Sequence, residues 1–447
     1  MNLTDKYTFD FAGSPVSAFA SLREKQKVGY GAYLDIGGQH ILSFSPELFF
    51  KIDRGIITTR PMKGTVRRGK TIEEDAELAR WLQQDKKNRS ENLMIVDLLR
   101  NDVGRISDIG SVRVRDMFSV EKYETLHQMT STVEGTLRSG LSYYDIFRSI
   151  FPSGSVTGAP KIRTMQIIRE IEEEPRGVYT GAIGFFAPNG TAAFNVPIRT
   201  LVIDGSRGEM GVGSGIVFDS DPAAEYEECM LKAQFLTEQR ISFQLIESIL
   251  WNGEFRFLEY HLDRLRSSAE YFEFPFDAEH ILQALASYQT RLSSGSSYKV
   301  RLLLNADGTT SLESQKLRNI PVPPTVTIST TRTSSTDRFF YHKTTLRHLY
   351  DNEFSASSGN GHADILFCNE RDEVTEGAIH NVFVEKDGKL FTPPLTCGLL
   401  PGVFRRHLLE TLDNASERII SRKDLIEADA VYICNAVRGL RKVSVTL

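Results

Sequence analysis

The stretch Gly213-Ser214-Gly215-Ile216-Val217, running on through Asp219-Ser220-Asp221-Pro222 to Glu225-Tyr226-Glu227-Glu228, changes character at one point. A glycine-rich strand end gives way to a helix start, with Asp221 as N-cap and Pro222 at the first helical position. The helical pattern continues to about Ile241. On it Glu225 and Glu228 stand three residues apart and project from one face. Far upstream, Asp85-Lys86-Lys87-Asn88-Arg89-Ser90-Glu91-Asn92-Leu93-Met94-Ile95-Val96-Asp97-Leu98 is a second stretch rich in acids and bases. Carboxylates from two such stretches repel one another unless a cation lies between them. Mg²⁺ suits that position, because it takes hard oxygen ligands and keeps room for waters and substrate oxygens. A solvated acidic helix face is the plainer reading of Glu225 and Glu228 taken alone.

Outward from these stretches, the 447 residues are long enough for two or three domains. With 53 basic and 58 acidic residues the net charge is −5, which excludes a strongly basic nucleic-acid binder and an acidic solvating tail. No run of about 18 apolar residues suggests a membrane span, and Met1-Asn2-Leu3-Thr4-Asp5-Lys6 lacks the apolar core of a signal peptide. Cys229, Cys368, Cys397 and Cys434 are scattered without a CxxC pair, so they read as small buried side chains in a reducing, cytoplasmic protein.

The pattern divides near residue 240. Before it, Thr71 to Leu82 is an amphipathic helix, and Gly181 to Ile203 reads as two strands around the Asn189-Gly190 turn. After it, Phe243 to Trp251 and Glu254 to Leu258 flank Asn252-Gly253 as a hairpin, and a helix follows over His261 to Tyr271. Lys299 to Leu304 and Thr325 to Ser329 read as strands, the second introduced by Pro321, Pro323 and Pro324. Val382-Phe383-Val384 and Leu390-Phe391 flank Asp387-Gly388 as another hairpin.

Seven segments before residue 239 occur in one order. They are Ser45-Pro46-Glu47, Pro61-Met62-Lys63-Gly64-Thr65, Val96-Asp97-Leu98-Leu99-Arg100-Asn101-Asp102, Phe151 to Lys161, Arg176 to Gly181, Ile198-Arg199-Thr200, and Gly213 to Lys232. Together they resemble the chorismate-utilising enzymes, the group of anthranilate, isochorismate and aminodeoxychorismate synthases. The resemblance implies a Mg²⁺ site with Glu91 and Glu228 as ligands and Glu225 nearby or acting through water. It implies that Arg199, Tyr179, Lys232 and the amides of Gly213, Ser214 and Gly215 hold the substrate's carboxylates, the arginine as a fork-shaped donor. Glu47 resembles the general acid that protonates the departing hydroxyl, a task for a partly desolvated carboxyl. Read without the family, Arg199 is a strand arginine, Lys232 a helix-surface lysine and Glu47 a strand-end glutamate.

Lys63 separates the subfamilies, since anthranilate and isochorismate synthases carry alanine there and aminodeoxychorismate synthases carry lysine. A lysine depressed by burial and neighbouring cations is a nucleophile toward the ring. Two features depart from the family pattern. The family histidine three residues before the serine of Leu126-His127-Gln128-Met129-Thr130-Ser131 is replaced by Gln128, leaving His127 as a structural hydrogen-bonder. Asn2-Leu3-Thr4 resembles a motif that lies well inside typical members, so a core strand and much of an outer sheet are expected to be missing before Met1. An internal valine codon taken as a start is one explanation, and the genomic sequence upstream tests it.

In the second half, Tyr341-His342-Lys343-Thr344-Thr345-Leu346-Arg347 offers a lysine of the kind pyridoxal phosphate needs for a Schiff base. Thirty-three residues on, Thr375-Glu376-Gly377-Ala378-Ile379-His380-Asn381 supplies an acid suited to a pyridine nitrogen. Arg264, with amides near Leu400-Pro401-Gly402-Val403 and Asn435-Ala436, can hold a phosphate. Singly these are surface residues. As an ordered set, residues 243–447 resemble the fold-type IV pyridoxal enzymes, which include branched-chain and D-amino-acid aminotransferases and aminodeoxychorismate lyase. That resemblance implies Lys343 as the Schiff-base lysine and proton shuttle, Glu376 on the pyridine nitrogen and Arg264 on the phosphate. For a substrate carboxylate the choice among Arg301, Arg347 and Arg438 stays open.

The expected fold is α+β. A chorismate-utilising α/β sandwich over residues 1–238, incomplete at its N-terminus, precedes a fold-type IV α+β domain over residues 243–447. The expected function is 4-aminobenzoate synthesis for folate: amination of chorismate to 4-amino-4-deoxychorismate, then pyridoxal-dependent elimination of pyruvate. The expected partners are chorismate, a glutamine amidotransferase subunit supplying ammonia, and a second copy through the pyridoxal domain, with neither nucleic acid nor membrane. Two rival readings stand beside it. One is a class IV aminotransferase for D- or branched-chain amino acids carrying a non-catalytic chorismate-binding module. The other is an anthranilate synthase component I-like activity.

Overall fold

The computed structural model describes residues 1–25, 28–218, 220–233, 236, 242–317 and 324–446. Asp219, Pro321, Pro323, the expected helix end near Ile241 and the expected boundary near residue 240 lie outside the described residues. The chain forms two compact units, Met1–Arg68 with Glu77–Ile241, and Gly69–Ala76 with Ser242–Leu447. Both mix helices and sheets, giving an α+β chain.

The first unit has two sheets. One runs Asn2–Asp10, Arg207–Gly215, Thr200–Asp204, Gln39–Ser45 and Tyr30–Ile36, all antiparallel. In it Asn2, Leu3 and Thr4 pair with Gly215, Ser214 and Gly213, so the glycine-rich stretch is a paired strand. The other is built on Met62–Arg67, Leu126–Thr136, Ile56–Arg60, Leu48–Asp53, Ala192–Asn195 and Ile183–Phe186, with Arg113–Lys122 also paired to Leu126–Thr136. The long helix Lys86–Gly104 buries Ile95, Val96, Leu99 and Val103 in a core with Phe50, Ile57 and Val133 from this sheet. Those positions recur at helical spacing, which leaves Asp97 and Arg100 on the outer face. Its N-terminus is capped by Asp85, whose carboxylate accepts from Asn88 N–H.

The Asn189-Gly190 turn joins the strands Ile183–Phe186 and Ala192–Asn195, with Gly190 at φ 82° as that turn requires. The Thr71 to Leu82 pattern forms the helix Ile72–Gln84. Helix Pro222–Ala233 begins where Asp221 and Pro222 direct it, with Ala224 N–H bonded to the Asp221 carboxylate.

The second unit has a three-stranded sheet, Leu245–Trp251, Tyr298–Leu304 and Thr310–Lys316. Its Val300, Leu302 and Leu304 are buried, and Leu302 and Leu304 pack with helices Leu258–Phe272 and Ala278–Gln289. Alternation therefore turns Lys299 and Arg301 to the other face. The expected partner strand over Glu254 to Leu258 reduces to a single bridge, Trp251 to Phe255, because the helix already starts at Leu258. The larger sheet has eight strands, with Asp364–Asn369 buried at every position between Val374–Gly377 and Thr325–Thr333. Its apolar run, Ile365-Leu366-Phe367, fits a strand covered on both faces. The hairpin Asn381–Lys386 and Lys389–Thr392 turns at Asp387-Gly388. Among the described residues no helix is long and apolar enough to cross a membrane.

Candidate active sites

In the first unit, four distant segments meet around Lys63. The strand Met62–Arg67 carries it, and a Cβ placed on Gly215 would lie 2.6 Å from Lys63 Nζ. A side chain there would push the ammonium from its place. Lys63's carbonyl accepts from Asn92 Nδ2 at 3.3 Å, and Asn92 Oδ1 accepts from Ser131 Oγ at 2.6 Å. Gln128 donates to Gly64 O at 2.9 Å and accepts from Thr65 Oγ1 at 3.0 Å, bracing the same strand. The residue that replaces a family histidine is thus a positioning residue for Lys63's strand. His127, one position back, is buried on Leu126–Thr136.

Glu47 is buried, 5% exposed, and accepts from Ser155 Oγ at 2.5 Å. Burial pushes its carboxyl up to about 7, against the Ser155 hydrogen bond and the Lys63 charge. Glu225 accepts from Ser214 and Ser220, and the Ser214 hydroxyl above all holds it below its ordinary value. Lys63 acts on Glu225 as well, so one ammonium bears on both carboxylates.

Tyr179 lies against Gly211 and Gly213, where a Cβ on Gly213 would meet its Oη at 3.1 Å. Lys232 Nζ donates to Gly213 O at 2.8 Å and pairs with Glu228 at 2.6 Å. Arg199 sits in the left-handed region at φ 49°, and burial lowers its guanidinium, with Tyr123 opposing. Lys161 Nζ holds Asp102 and the Ile150 carbonyl, each at 2.8 Å, and ties the segment from Phe151 onward to the long helix. Arg176 likewise joins Glu172, Val156 O and Asn2 O. Asn92, Ser131 and Ser155 were given no role from sequence, although all three lie inside the quoted motifs, and Gln128 was noted only as a departure from the family pattern.

The three expected metal ligands are not gathered. Glu225 is committed to two hydroxyls, Glu228 to Lys232, and among the described residues no group of three His, Cys, Asp or Glu side chains could hold a metal ion. The donors are nevertheless of the right kind for a hard ion. The Glu228–Lys232 pair is half-exposed, worth little and open to exchange.

In the second unit a cavity of about 840 Å³ contains Lys343, Glu376 and Arg264 together. Lys343's backbone is pinned by Ile246 N–H to its carbonyl at 2.9 Å, with Thr345 N–H bonded to Gln244 O. Burial first, then Arg347 and Arg264, lower its amine to about 7. Glu376 is buried and accepts from Tyr350 Oη and Leu400 N–H at 3.1 Å and from Asn381 Nδ2 at 3.0 Å. Burial raises it to about 7 against the Leu400 and Tyr350 hydrogen bonds.

Arg264 forms a two-point pair with Glu247, at 2.8 and 2.6 Å, and reaches Pro401 O at 3.1 Å. Burial alone would raise Glu247, but Arg264 and His261 hold it at about 2. The helix Val403–Thr411 starts at Gly402 with no side-chain cap, leaving its first amides to line the cavity beside Asn435, Ala436 and Val437. Gly402 is packed against Asn381 Oδ1, where a Cβ would not fit. A buried lysine, a buried acid with three donors and an arginine at an uncapped helix start fit pyridoxal phosphate. Tyr350, Asn381 and Glu247 escaped the sequence reading, as none carries a recognisable local pattern.

The first unit thus holds a lysine whose charge bears on two carboxylates, and the second a cavity lined by a buried lysine, a buried acid and an arginine. Residues 1–238 match the chorismate binding enzymes, more than half of the chain, and the protein belongs to that family. Residues 244–445 match amino-transferase class IV, so the second half is a class IV domain. Over 232 residues the chain is 48% identical to the aminodeoxychorismate synthase of Streptomyces griseus, covering 52% of this chain and 32% of that protein. It is 43% identical to aminodeoxychorismate synthase component 1 of Bacillus subtilis (strain 168), covering 52% and 50%. The solved anthranilate synthase component I of Streptococcus pneumoniae TIGR4 is 37% identical, with a TM-score of 0.50 over 53% of this chain and 52% of that one. The chain spans a third to a half of the length of these curated relatives.

Proposed function

We propose that the chain makes 4-aminobenzoate for folate synthesis, with residues 1–238 aminating chorismate and residues 243–447 releasing pyruvate from the product. The observation that carries this reading is Lys63, an amine beside Gly215 whose charge bears on Glu47 and Glu225. Lys63 Nζ bonds to a ring carbon of chorismate as the hydroxyl departs, protonated by Glu47 and released as water. Ammonia then bonds to the para carbon and Lys63 is expelled, so chorismate and ammonia give 4-amino-4-deoxychorismate and water. Arg199, Tyr179, Lys232 and the Gly213–Gly215 amides orient the two carboxylates. Glu91 and Glu228 would hold Mg²⁺ with water and substrate oxygens, Glu225 acting from the second rank, and the ion would neutralise the ring carboxylate. Ammonia comes from a glutamine amidotransferase subunit.

In the second half, pyridoxal phosphate supplies an electron sink that acidifies the carbon bearing the substrate's amine. Arg264 and the amides at Gly402–Val403 and Asn435–Ala436 would hold its phosphate, and Glu376 would pair with its ring nitrogen. Lys343, with an amine near neutrality, takes the proton from that carbon at Nζ. The C–O bond to the enolpyruvyl arm then breaks, the released enolate takes up a proton to become pyruvate, and the ring is left as the aromatic amine. A second copy docks through this domain. The four free cysteines accord with a reducing, cytoplasmic setting.

The test is a single incubation of the pyridoxal-loaded chain with chorismate, ammonium and Mg²⁺. Equal amounts of pyruvate and 4-aminobenzoate are expected. Unchanged chorismate would overturn the first half of the reading. If aminodeoxychorismate is supplied directly and persists while a keto acid is aminated, the second half is a transaminase instead.

A further inference from the structure

The cavity of the second unit is lined by eight lysines and arginines but only three aspartates and glutamates. Lys343 and Arg264 are accounted for by the cofactor, and the three acids all have work elsewhere. Glu376 is held by Tyr350, Asn381 and Leu400, Asp351 pairs with Arg347 at 2.7 Å, and Asp337 caps the turn at Phe339. Basic side chains therefore outnumber acidic ones along the cavity wall.

Lys299 is the sharpest case. It lies on Tyr298–Leu304 between Leu250 and Gln315, with Arg301 two residues on along the same face. The alternate positions Val300 and Leu302 are buried on the opposite face, so the fold commits Lys299 and Arg301 to the cavity side. Lys299 is partly buried yet makes no hydrogen bond or ion pair among the described residues, while Arg301 spends one nitrogen on Glu313 at 2.9 Å. Burial, then Arg301, lowers Lys299's ammonium, Glu313 opposes them, and Arg438 and Arg347 push it further down. The charges bearing most on Lys343 are instead Arg347 and Arg264. Ile246, which bonds the Lys343 carbonyl, pairs with Leu303, whereas Lys299 pairs with Leu250, four strand positions along, so the two lysines' backbones stand on the order of 13 Å apart. Like charges held together and drawn from water are relieved by an anion placed among them.

We infer that Lys299, with Arg301 and Arg438 beside it, holds a carboxylate remote from the reacting amine and restricts this site to amines bearing two carboxylates. The inference rests on the cavity being the pyridoxal-dependent lyase site and names the feature of substrate that it selects. In 4-amino-4-deoxychorismate the carbon bearing the amine has no carboxylate. Both anions stand off on the ring and on the enolpyruvyl arm, so a site for it needs positive charge away from Lys343. An α-amino acid with an apolar side chain would leave that charge unanswered.

The test uses the full, pyridoxal-loaded chain and two probes that cannot react, isophthalate as a 1,3-dicarboxylate and benzoate as its single-carboxylate counterpart. Calorimetric titration is expected to give isophthalate roughly tenfold or greater preference, the scale of one hydrogen-bonded charge pair. Lys299→Met should erase that preference and Lys299→Arg restore it, while the cofactor's visible absorbance reports that each variant is folded and loaded. Equal binding of the two probes by the unaltered chain overturns the inference, as does a preference that survives Lys299→Met. A dicarboxylate preference without pyruvate release from aminodeoxychorismate would sink the lyase reading and leave the anion site standing.

Discussion

Glu47 in the first half and Glu247 in the second are both buried near cations, yet they are shifted in opposite directions. In the first, Glu47 has a serine hydroxyl as its hydrogen-bond partner and only the nearby charge of Lys63, and burial carries it up to about 7. In the second, Glu247 is as deeply buried but touches Arg264 and His261, and stays at about 2. Glu376, a few residues of fold away, has neutral donors and again lies at about 7. Burial sets the cost of a charge in both halves; the charge of the immediate partner decides whether that cost is met. Glu47 and Glu376, whose hydrogen-bond donors are neutral, are raised, and Glu247, bonded directly to a guanidinium, is lowered.

The largest break in this comparison comes from Lys343→Ala. Formation of 4-aminobenzoate should fall by about 10²–10⁴-fold while chorismate consumption continues and aminodeoxychorismate accumulates. Loss of chorismate consumption as well would mean that the two sites are not separate machines. Glu247→Gln strips Arg264 of its counter-charge inside the fold. It should cost about 3–5 kcal/mol of stability in the second unit, measured by denaturant titration, and weaken cofactor retention. The reverse change at Glu47 should be mild, since Glu47→Gln keeps a neutral partner for Ser155.

The pH dependence sharpens the contrast. Glu47 keeps its proton up to about pH 7, so as a general acid it is competent below that value, and chorismate consumption should fall as pH rises through 7. The native state also holds a proton there that the unfolded chain loses near 4.5. Its contribution to stability is therefore full below about 4.5 and is lost as pH climbs through 7. Glu47→Gln should flatten both dependences, and a melting profile that keeps the wild-type slope would assign the titration to another group. The smallest effect is expected from Tyr350→Phe. It removes one of three donors to Glu376, about 1 kcal/mol or roughly a fivefold loss in cofactor affinity, read by equilibrium dialysis.

The two halves also differ in how legible they were. The helix at Pro222, the Asn189-Gly190 and Asp387-Gly388 turns and the amphipathic Ile72–Gln84 could be read directly, because capping, turn chemistry and periodicity are local. The hairpin expected after Asn252-Gly253 failed for the complementary reason: the helix from Leu258 consumes the residues that a second strand would need. Lys63, Glu47, Lys343, Glu376 and Arg264 were visible as motif members, but the hydrogen bonds by which Gln128, Asn92 and Tyr350 support Lys63's strand and Glu376 were not. A supporting hydrogen bond across sixty residues leaves no spacing to recognise. The acidic face of Glu225 and Glu228 pointed to a metal, whereas serine hydroxyls and Lys232 occupy those oxygens.

Residue order alone determined which side chains were available for chemistry, where helices start and turns fall, and which pleats of a strand turn inward, since each depends on neighbours a few positions away. Only the tertiary structure decided that a glycine 152 positions from Lys63 lies against its ammonium, that Glu47 meets a hydroxyl and Glu247 a guanidinium, and that Lys299 faces a cavity where basic side chains outnumber acidic ones. Ionisation and desolvation follow from what lies within a few ångströms in space, and that distance is not written in the chain.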